Sequence, residues 1–179
     1  MIELLPRAVQ HPRIWSEVEL AISGTTMVVV IASDGEAVTG LRFGPGADHA
    51  AWLAGSDAPA TSSPSGLLAT AADQLRSYAA GELTGFDVPL RLHGTPFQAA
   101  VWSALTQVPY GRTVSYGELA AEVGRPSGAR AVGAAVGANP VGIMVPCHRV
   151  IGAGGTLTGF AGGLDNKVAP LIREGVLAA

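Results

Sequence analysis

The sequence predicts two units in tandem: an α/β unit over residues 1–90, made of a small antiparallel sheet and one helix, and a mostly α unit over residues 91–179 built on a helix-turn-helix. The first observation behind this is a pair of apolar, β-branched runs joined through Asp34-Gly35 and followed by a segment of helical periodicity. The second is a pair of helix-opening boxes in the other half, Thr95-Pro96-Phe97-Gln98 and Ser115-Tyr116-Gly117-Glu118. The third is charge. Residues 1–92 carry five basic against ten acidic groups, a net −5, whereas residues 93–179 carry six against four, a net +2.

In the first unit, residues 26–31 and 37–43 read as two strands of a hairpin, because Asp-Gly supplies the turn conformation that a tight hairpin needs. Residues 44–65, rich in Gly, Pro, Ser, Ala and Asp, read mainly as loop, with Trp52 and Leu53 marking a short buried turn. From Pro64 the period becomes helical. Leu67, Leu68, Ala71, Leu75 and Tyr78 share one face, and Gly81 is placed to stop the helix. Residues 84–94, with Pro89 among them, read as a connector, and residues 1–83 read as scaffold with nothing catalytic in them.

In the second unit, Thr95 caps a helix with Pro96 in its first turn and Phe97, Val101, Trp102 and Leu105 on one face, ending at Pro109-Tyr110-Gly111. Ser115 opens a short helix that Gly124 and Pro126 terminate, and Ser127 is placed to cap a third over 128–138. So few residues between two helices is the spacing of a helix-turn-helix. The third helix is slim: Ala129, Ala131, Gly133, Ala134, Ala135 and Gly137 carry almost no bulk, and Arg130 is the one long residue of its first turn. Tight packing of small residues explains the alanines. Interior glycines, at about 1 kcal/mol each relative to alanine, also fit close approach to something narrow, such as a DNA minor groove. A last helix is expected from an Asp165 cap through Glu174, with Val168, Leu171 and Ile172 inward. Pro170 falls inside it and is expected to delay its start or kink it.

Composition limits the function. At 179 residues, 48 % hydrophobic and 14 % charged, the chain can bury such cores. Its apolar run over 27–32 is far too short to span a bilayer, and no basic stretch followed by a long apolar one stands at the N-terminus. No membrane association is expected, and the expected location is the cytoplasm. A formal charge of −3 argues against a strongly basic nucleic-acid binder, while the surplus in the second half suits a few phosphate contacts. Cys147 is the only cysteine and His11, His49 and His93 are scattered singly, so no internal disulfide, metal or cofactor is expected. Gly152-Ala153-Gly154-Gly155 lacks the Lys-Ser/Thr of a phosphate loop and reads as a tight turn.

Cys147 stands in Val145-Pro146-Cys147-His148-Arg149-Val150, a short apolar strand or turn closing on three polar side chains. A lone thiol is either a small core hydrophobe or a nucleophile. Pro146 fixes the backbone before it, His148 can act as a base and Arg149 adds fixed charge, and burying the three together is costly unless they form a working site. If the segment is a strand, Cys147 and His148 point to opposite faces, so no direct contact between them is expected.

Taken in order, Gly94-Thr95-Pro96-Phe97-Gln98, Val114-Ser115-Tyr116-Gly117-Glu118-Leu119-Ala120, Ala129-Arg130-Ala131-Val132-Gly133, Asn139-Pro140, Pro146-Cys147-His148-Arg149-Val150-Ile151-Gly152 and Thr158-Gly159-Phe160-Ala161-Gly162-Gly163-Leu164 resemble the O6-alkylguanine-DNA alkyltransferases over roughly residues 93–175. The resemblance implies a ribonuclease-H-like layout for the first unit and a winged-helix-like one for the second. It also implies a single-turnover methyltransferase of direct DNA repair, which moves the alkyl group of O6-alkylguanine, and by extension O4-alkylthymine, in double-stranded DNA onto its own Cys147. By resemblance, His148 takes the thiol proton through water and is oriented by Glu174, while Tyr116 shares a proton with the departing purine. Arg130 enters the base stack in place of the flipped base, with Ser115, Ala129 and Gly133 at the DNA. Cys147, Val150 and Ala161 recognise the flipped guanine through backbone groups. Phe160, where the family commonly has tyrosine, walls the pocket, Asn139 braces the turn beneath it, and Met144 joins the pocket set; Arg149 is structural. The expected state is a monomer, with clustering on DNA as a further expectation.

Rival functions fit less well. A Cys-His hydrolase needs a histidine in direct reach of the thiol and an oxyanion hole. A lesion sensor of alkyltransferase type lacks the cysteine that stands here, and a slim glycine-rich helix has no side chains with which a transcription factor could read major-groove edges.

Overall fold

The protein's structure, a computed structural model, describes residues 2–6, 14–53, 66–160 and 162–178. Residues 54–65 of the loop expected over 44–65, and the pocket residue Ala161, lie outside the described residues. The chain forms strands β1 (Ile2–Pro6), β2 (Ile14–Ile22), β3 (Thr25–Ser33) and β4 (Val38–Phe43), then the short helix α1 (Ala50–Leu53) and helix α2 (Gly66–Ala80). Strand β5 (Leu90–Gly94), helix α3 (Pro96–Leu105), strand β6 (Val114–Ser115), helices α4 (Tyr116–Glu122) and α5 (Ala129–Gly137), strand β7 (Val150–Ile151) and helix α6 (Asp165–Arg173) follow.

The expected hairpin is β3–β4, and Asp34 braces its turn by accepting from the Glu36 and Ala37 N–H groups. The sheet is larger than expected and mixed, in the order β1-β5-β4-β3-β2. Residues 90–94 are therefore not connector: β5 runs parallel to β1 from Ile2↔Leu90 to Pro6↔Gly94, and also pairs with β4 at Val38↔Leu90. Such a pairing is non-local and leaves no turn signal in the sequence. In β2, Val18, Leu20 and Ile22 face inward and Glu17, Glu19 and Ala21 outward, the period of a strand with one covered face. Helix α2 packs on that face through Leu68, Ala71, Ala72, Leu75 and Tyr78, and it ends where Gly81 takes the left-handed conformation at φ 84°.

Both expected capping boxes are present, Thr95 with Gln98 and Ser115 with Glu118. Helix α3 ends at Leu105, earlier than the Pro-Tyr-Gly signal, through a turn in which Gln107 and Val108 donate to Ala104 and Leu105. Helix α4 ends before Gly124 (φ 70°), and α5 begins at Ala129 with Gly128, not Ser127, at its N-cap and no side-chain cap bond. The Trp102 indole of α3 donates to the Ala135 carbonyl of α5 at 2.8 Å, so the small residues of α5 do allow close packing.

Helix α6 corrects two expectations. Asp165 is its first residue rather than its cap, and the helix runs from there through Pro170 without a late start. The inward face carries Lys167, Pro170, Leu171 and Glu174, while Val168 and Ile172 are only partly covered. Among the described residues no helix is long and apolar enough to cross a membrane.

Candidate active site

Cys147–Arg149 is not a strand but one turn of 3-10 helix, closed by Arg149 N–H donating to Pro146 O at 3.0 Å and Val150 N–H donating to Cys147 O. At three residues per turn, successive side chains diverge by about 120°, so Cys147 and His148 still face different ways. Cys147, 5 % exposed, lines a cavity of about 370 Å³ together with Tyr116, Gly133, Asn139 and Phe160. Arg42, Phe43 and His49, from the first half of the chain, line it too. His148 is fully buried and turns toward Glu174.

Glu174 is the hub of this buried network. Its Oε1 accepts from Tyr78 Oη at 2.7 Å, His148 Nε2 at 2.8 Å and Arg149 Nη2 at 2.9 Å; its Oε2 accepts from Arg149 Nε at 2.9 Å and Gly111 N–H at 3.1 Å. Arg149 Nη1 also donates to Val108 O at 2.6 Å, which ties the guanidinium to the turn that follows α3. Burial alone would raise the Glu174 carboxyl, but the donors from His148, Arg149 and Tyr78 win and hold it down at about 2. Burial pushes the His148 imidazole below its ordinary value, against the pull of Glu174. A neutral His148 that bonds an ionised carboxylate through Nε2 carries its proton there, which leaves Nδ1 as a bare acceptor. That Nδ1 is buried and has no hydrogen-bond partner among the described residues.

Burial also pushes the Cys147 thiol up, so the resting group is a thiol. The Asn139 side chain, the backbone of Cys147 and Ile143, and the charge of Lys167 act the other way. Asn139 braces the approach to the thiol: its Nδ2 donates to Val145 O at 2.8 Å and its Oδ1 accepts from Val141 N–H at 3.1 Å. Between them Ile143 stands at φ 65°, a left-handed conformation that costs a β-branched residue about 1–3 kcal/mol and persists only where its surroundings hold it.

Sequence reasoning missed two polar members of this site. Lys167 is fully buried; its Nζ donates to Val150 O at 2.6 Å and Thr158 O at 3.3 Å and lies 5.9 Å from the Tyr116 ring centre and 6.0 Å from that of Phe160. Its spacing from Leu171 and Glu174, one helical face, was a usable signal. Tyr78 lies on the apolar face of a helix expected as scaffold, yet its hydroxyl reaches Glu174. A tyrosine on an Ala/Leu face needs a partner for its hydroxyl when buried, and only the fold identifies that partner.

The remaining expected residues fall in several places. Tyr116 opens α4, with its ring 3.7 Å from where a Cβ on Gly133 would stand. Arg130 is exposed on α5 beside Ala129, and its side chain makes no hydrogen bond or ion pair among the described residues. The Ser115 hydroxyl is taken up in capping α4, where it accepts from Glu118 N–H at 3.1 Å. Val150 is buried in β7, paired with Val114. Met144 is 7 % exposed, inside the core, and among the described residues it is not one that lines the cavity. The Gly152 turn closes by Gly152 N–H donating to Thr156 O at 2.7 Å.

With this geometry in view, comparison with known proteins is specific. The family described as "6-O-methylguanine DNA methyltransferase, DNA binding domain" matches residues 96–176. A methylated-DNA--protein-cysteine methyltransferase of Mycobacterium tuberculosis is 59 % identical over 109 residues, 61 % of this chain and 66 % of that protein, so the alignment spans just under two thirds of the relative. The protein of the same name from Salmonella typhimurium is 51 % identical over 124 residues, covering 69 % of this chain and 70 % of the relative. The crystal structure of M. tuberculosis OGT in complex with DNA is 44 % identical, covers 90 % of this chain and 92 % of its own, and superposes with a TM-score of 0.74. By these matches, and by a single buried thiol beside a histidine–glutamate pair, the chain belongs to the methylated-DNA--protein-cysteine methyltransferase family.

Proposed function

We propose that the protein repairs O6-alkylguanine in duplex DNA by moving the alkyl group to Cys147 once and irreversibly, with residues 91–179 carrying both the DNA contact and the acceptor. The observation that carries this is Cys147 on the cavity wall with His148 Nδ1 bare and Glu174 ionised behind it. The Cys147 proton passes through a water to His148 Nδ1, and Glu174 stabilises the resulting imidazolium. Sγ then attacks the alkyl carbon, the carbon–O6 bond breaks, and its electron pair leaves on guanine, where a proton shared with the Tyr116 hydroxyl offsets the charge. The product is a thioether, which no group of the site can cleave. O4-alkylthymine, with its alkyl group likewise on an exocyclic oxygen, is a second substrate of the same chemistry.

The test is intact-mass analysis after incubation with a duplex containing O6-methylguanine. One methyl per chain on Cys147, and none on Cys147→Ser, is the expected result; turnover beyond one equivalent overturns it.

Reaching a stacked base requires extruding it, at a cost of a few kcal/mol. In this reading α4 and α5 are the helix-turn-helix, slim α5 lies in the minor groove, and Arg130 fills the vacated stack. Arg130→Ala is expected to slow transfer from duplex DNA by about tenfold or more while leaving reaction with free O6-benzylguanine nearly unchanged, because only the duplex needs flipping. Equal losses on both substrates would remove Arg130 from that role.

A further inference from the structure

The cavity that holds Cys147 is closed in part by the first half of the chain, and the contact is specific. Strand β4 is fastened to the turn before the thiol by Leu41 N–H donating to Pro140 O at 2.8 Å and by a bridge between Leu41 and Val141. Two residues on, the Phe43 ring meets the Phe160 ring edge to face, with centroids 5.6 Å apart and planes at 64°. Both rings line the cavity. Gly162 and Gly142 lie against Phe43: a Cβ on Gly162 would stand 2.6 Å from its Cδ2, and one on Gly142 would stand 3.1 Å from its Cε2. The glycines flanking the site thus abut this one side chain, and the Phe43 carbonyl is itself held by His49 Nε2 at 2.9 Å.

We propose that Phe43 is a specificity-determining residue, which sets the size of the alkyl group accepted by fixing the Phe160 wall and occupying the space beyond it. The proposal rests on the alkyl-transfer reading above. A benzyl substituent brings one ring more than a methyl, which is the volume that truncating Phe43 removes. A misfit of that kind in an apolar pocket typically changes relative rates by about tenfold.

The measurement is the ratio of single-turnover rates on duplexes containing O6-benzylguanine and O6-methylguanine. Phe43→Ala is expected to raise the benzyl-to-methyl ratio about tenfold and Phe43→Trp to lower it by a similar factor. A merely structural role would slow both substrates together and leave the ratio alone. Should the alanine variant fail to fold, Phe43→Leu replaces it, with a smaller rise of at least threefold, or about 0.6 kcal/mol, expected. Ratios that do not move, or that move the same way for the smaller and larger side chains, overturn the proposal. If the unmodified protein transfers neither group to Cys147, it is the alkyl-transfer reading that has failed.

Discussion

Glu174→Gln is expected to cost about 3–5 kcal/mol of folding stability and to abolish transfer at neutral pH, because it strips the counter-charge from a buried guanidinium and the orienting partner from a buried imidazole. The Glu174 side chain is fully buried, and Arg149 reaches it with both Nε and Nη2 while only 9 % exposed. The amide keeps the shape but turns one acceptor oxygen into a donor, so two N–H groups confront each other where an ion pair stood. His148 Nε2–H loses its charged acceptor, and in the proposed mechanism the imidazolium formed on taking the Cys147 proton loses the carboxylate that stabilises it. Urea denaturation measures the first effect and intact mass the second. A stability loss below about 1 kcal/mol would mean that Arg149 finds adequate partners elsewhere.

The same network sets the acid limit of the fold. The Glu174 carboxyl is held at about 2 against an ordinary 4.5, so its contribution is complete above about pH 4.5 and is lost as pH falls toward 2. At about 1.4 kcal/mol per unit the amount is on the order of 3 kcal/mol. His148 acts in the same direction at higher pH. Its folded value lies below 6.5, so the unfolded chain takes up a proton first as pH falls through that value, and stability declines. In Glu174→Gln the step below pH 4.5 should shrink, and an unchanged acid profile would assign it to other carboxylates.

Lys167→Met should slow alkyl transfer at pH 7.5 by about tenfold, because losing the buried ammonium removes a charge that favours the Cys147 thiolate. Burial already pushes that thiol up, and Lys167 is the charge opposing it. The methionine fills a similar volume but leaves the Val150 and Thr158 carbonyls without their shared donor, a loss of about 1–3 kcal/mol, offset in part because a buried ammonium no longer has to be desolvated. Two readouts separate chemistry from damage. If the electrostatic role holds, raising the pH restores the rate of the variant toward that of the unmodified protein; a rate deficit that is the same at every pH would make Lys167 only a brace for the pocket walls.

What the sequence determined by itself is local: the Asp34-Gly35 hairpin, both capping boxes, and the Gly81 and Gly124 stops. Each depends on residues within a few positions of one another, where turn and capping chemistry act almost independently of the rest of the chain. Tertiary structure alone decided which distant residues complete those elements. β5 enters the sheet through pairing with β1 across more than eighty residues, and Tyr78 meets Glu174 across 96. Pro170 was expected to disturb the last helix, yet α6 runs through it, because burial of Pro170 and Leu171 and the bonds made by Lys167 and Glu174 outweigh one missing backbone bond. The closure of the cavity by Phe43 belongs to the same class. Nothing near residue 43 in the sequence refers to Gly142, Phe160 or Gly162, and only the docking of one half of the chain on the other brings them into contact.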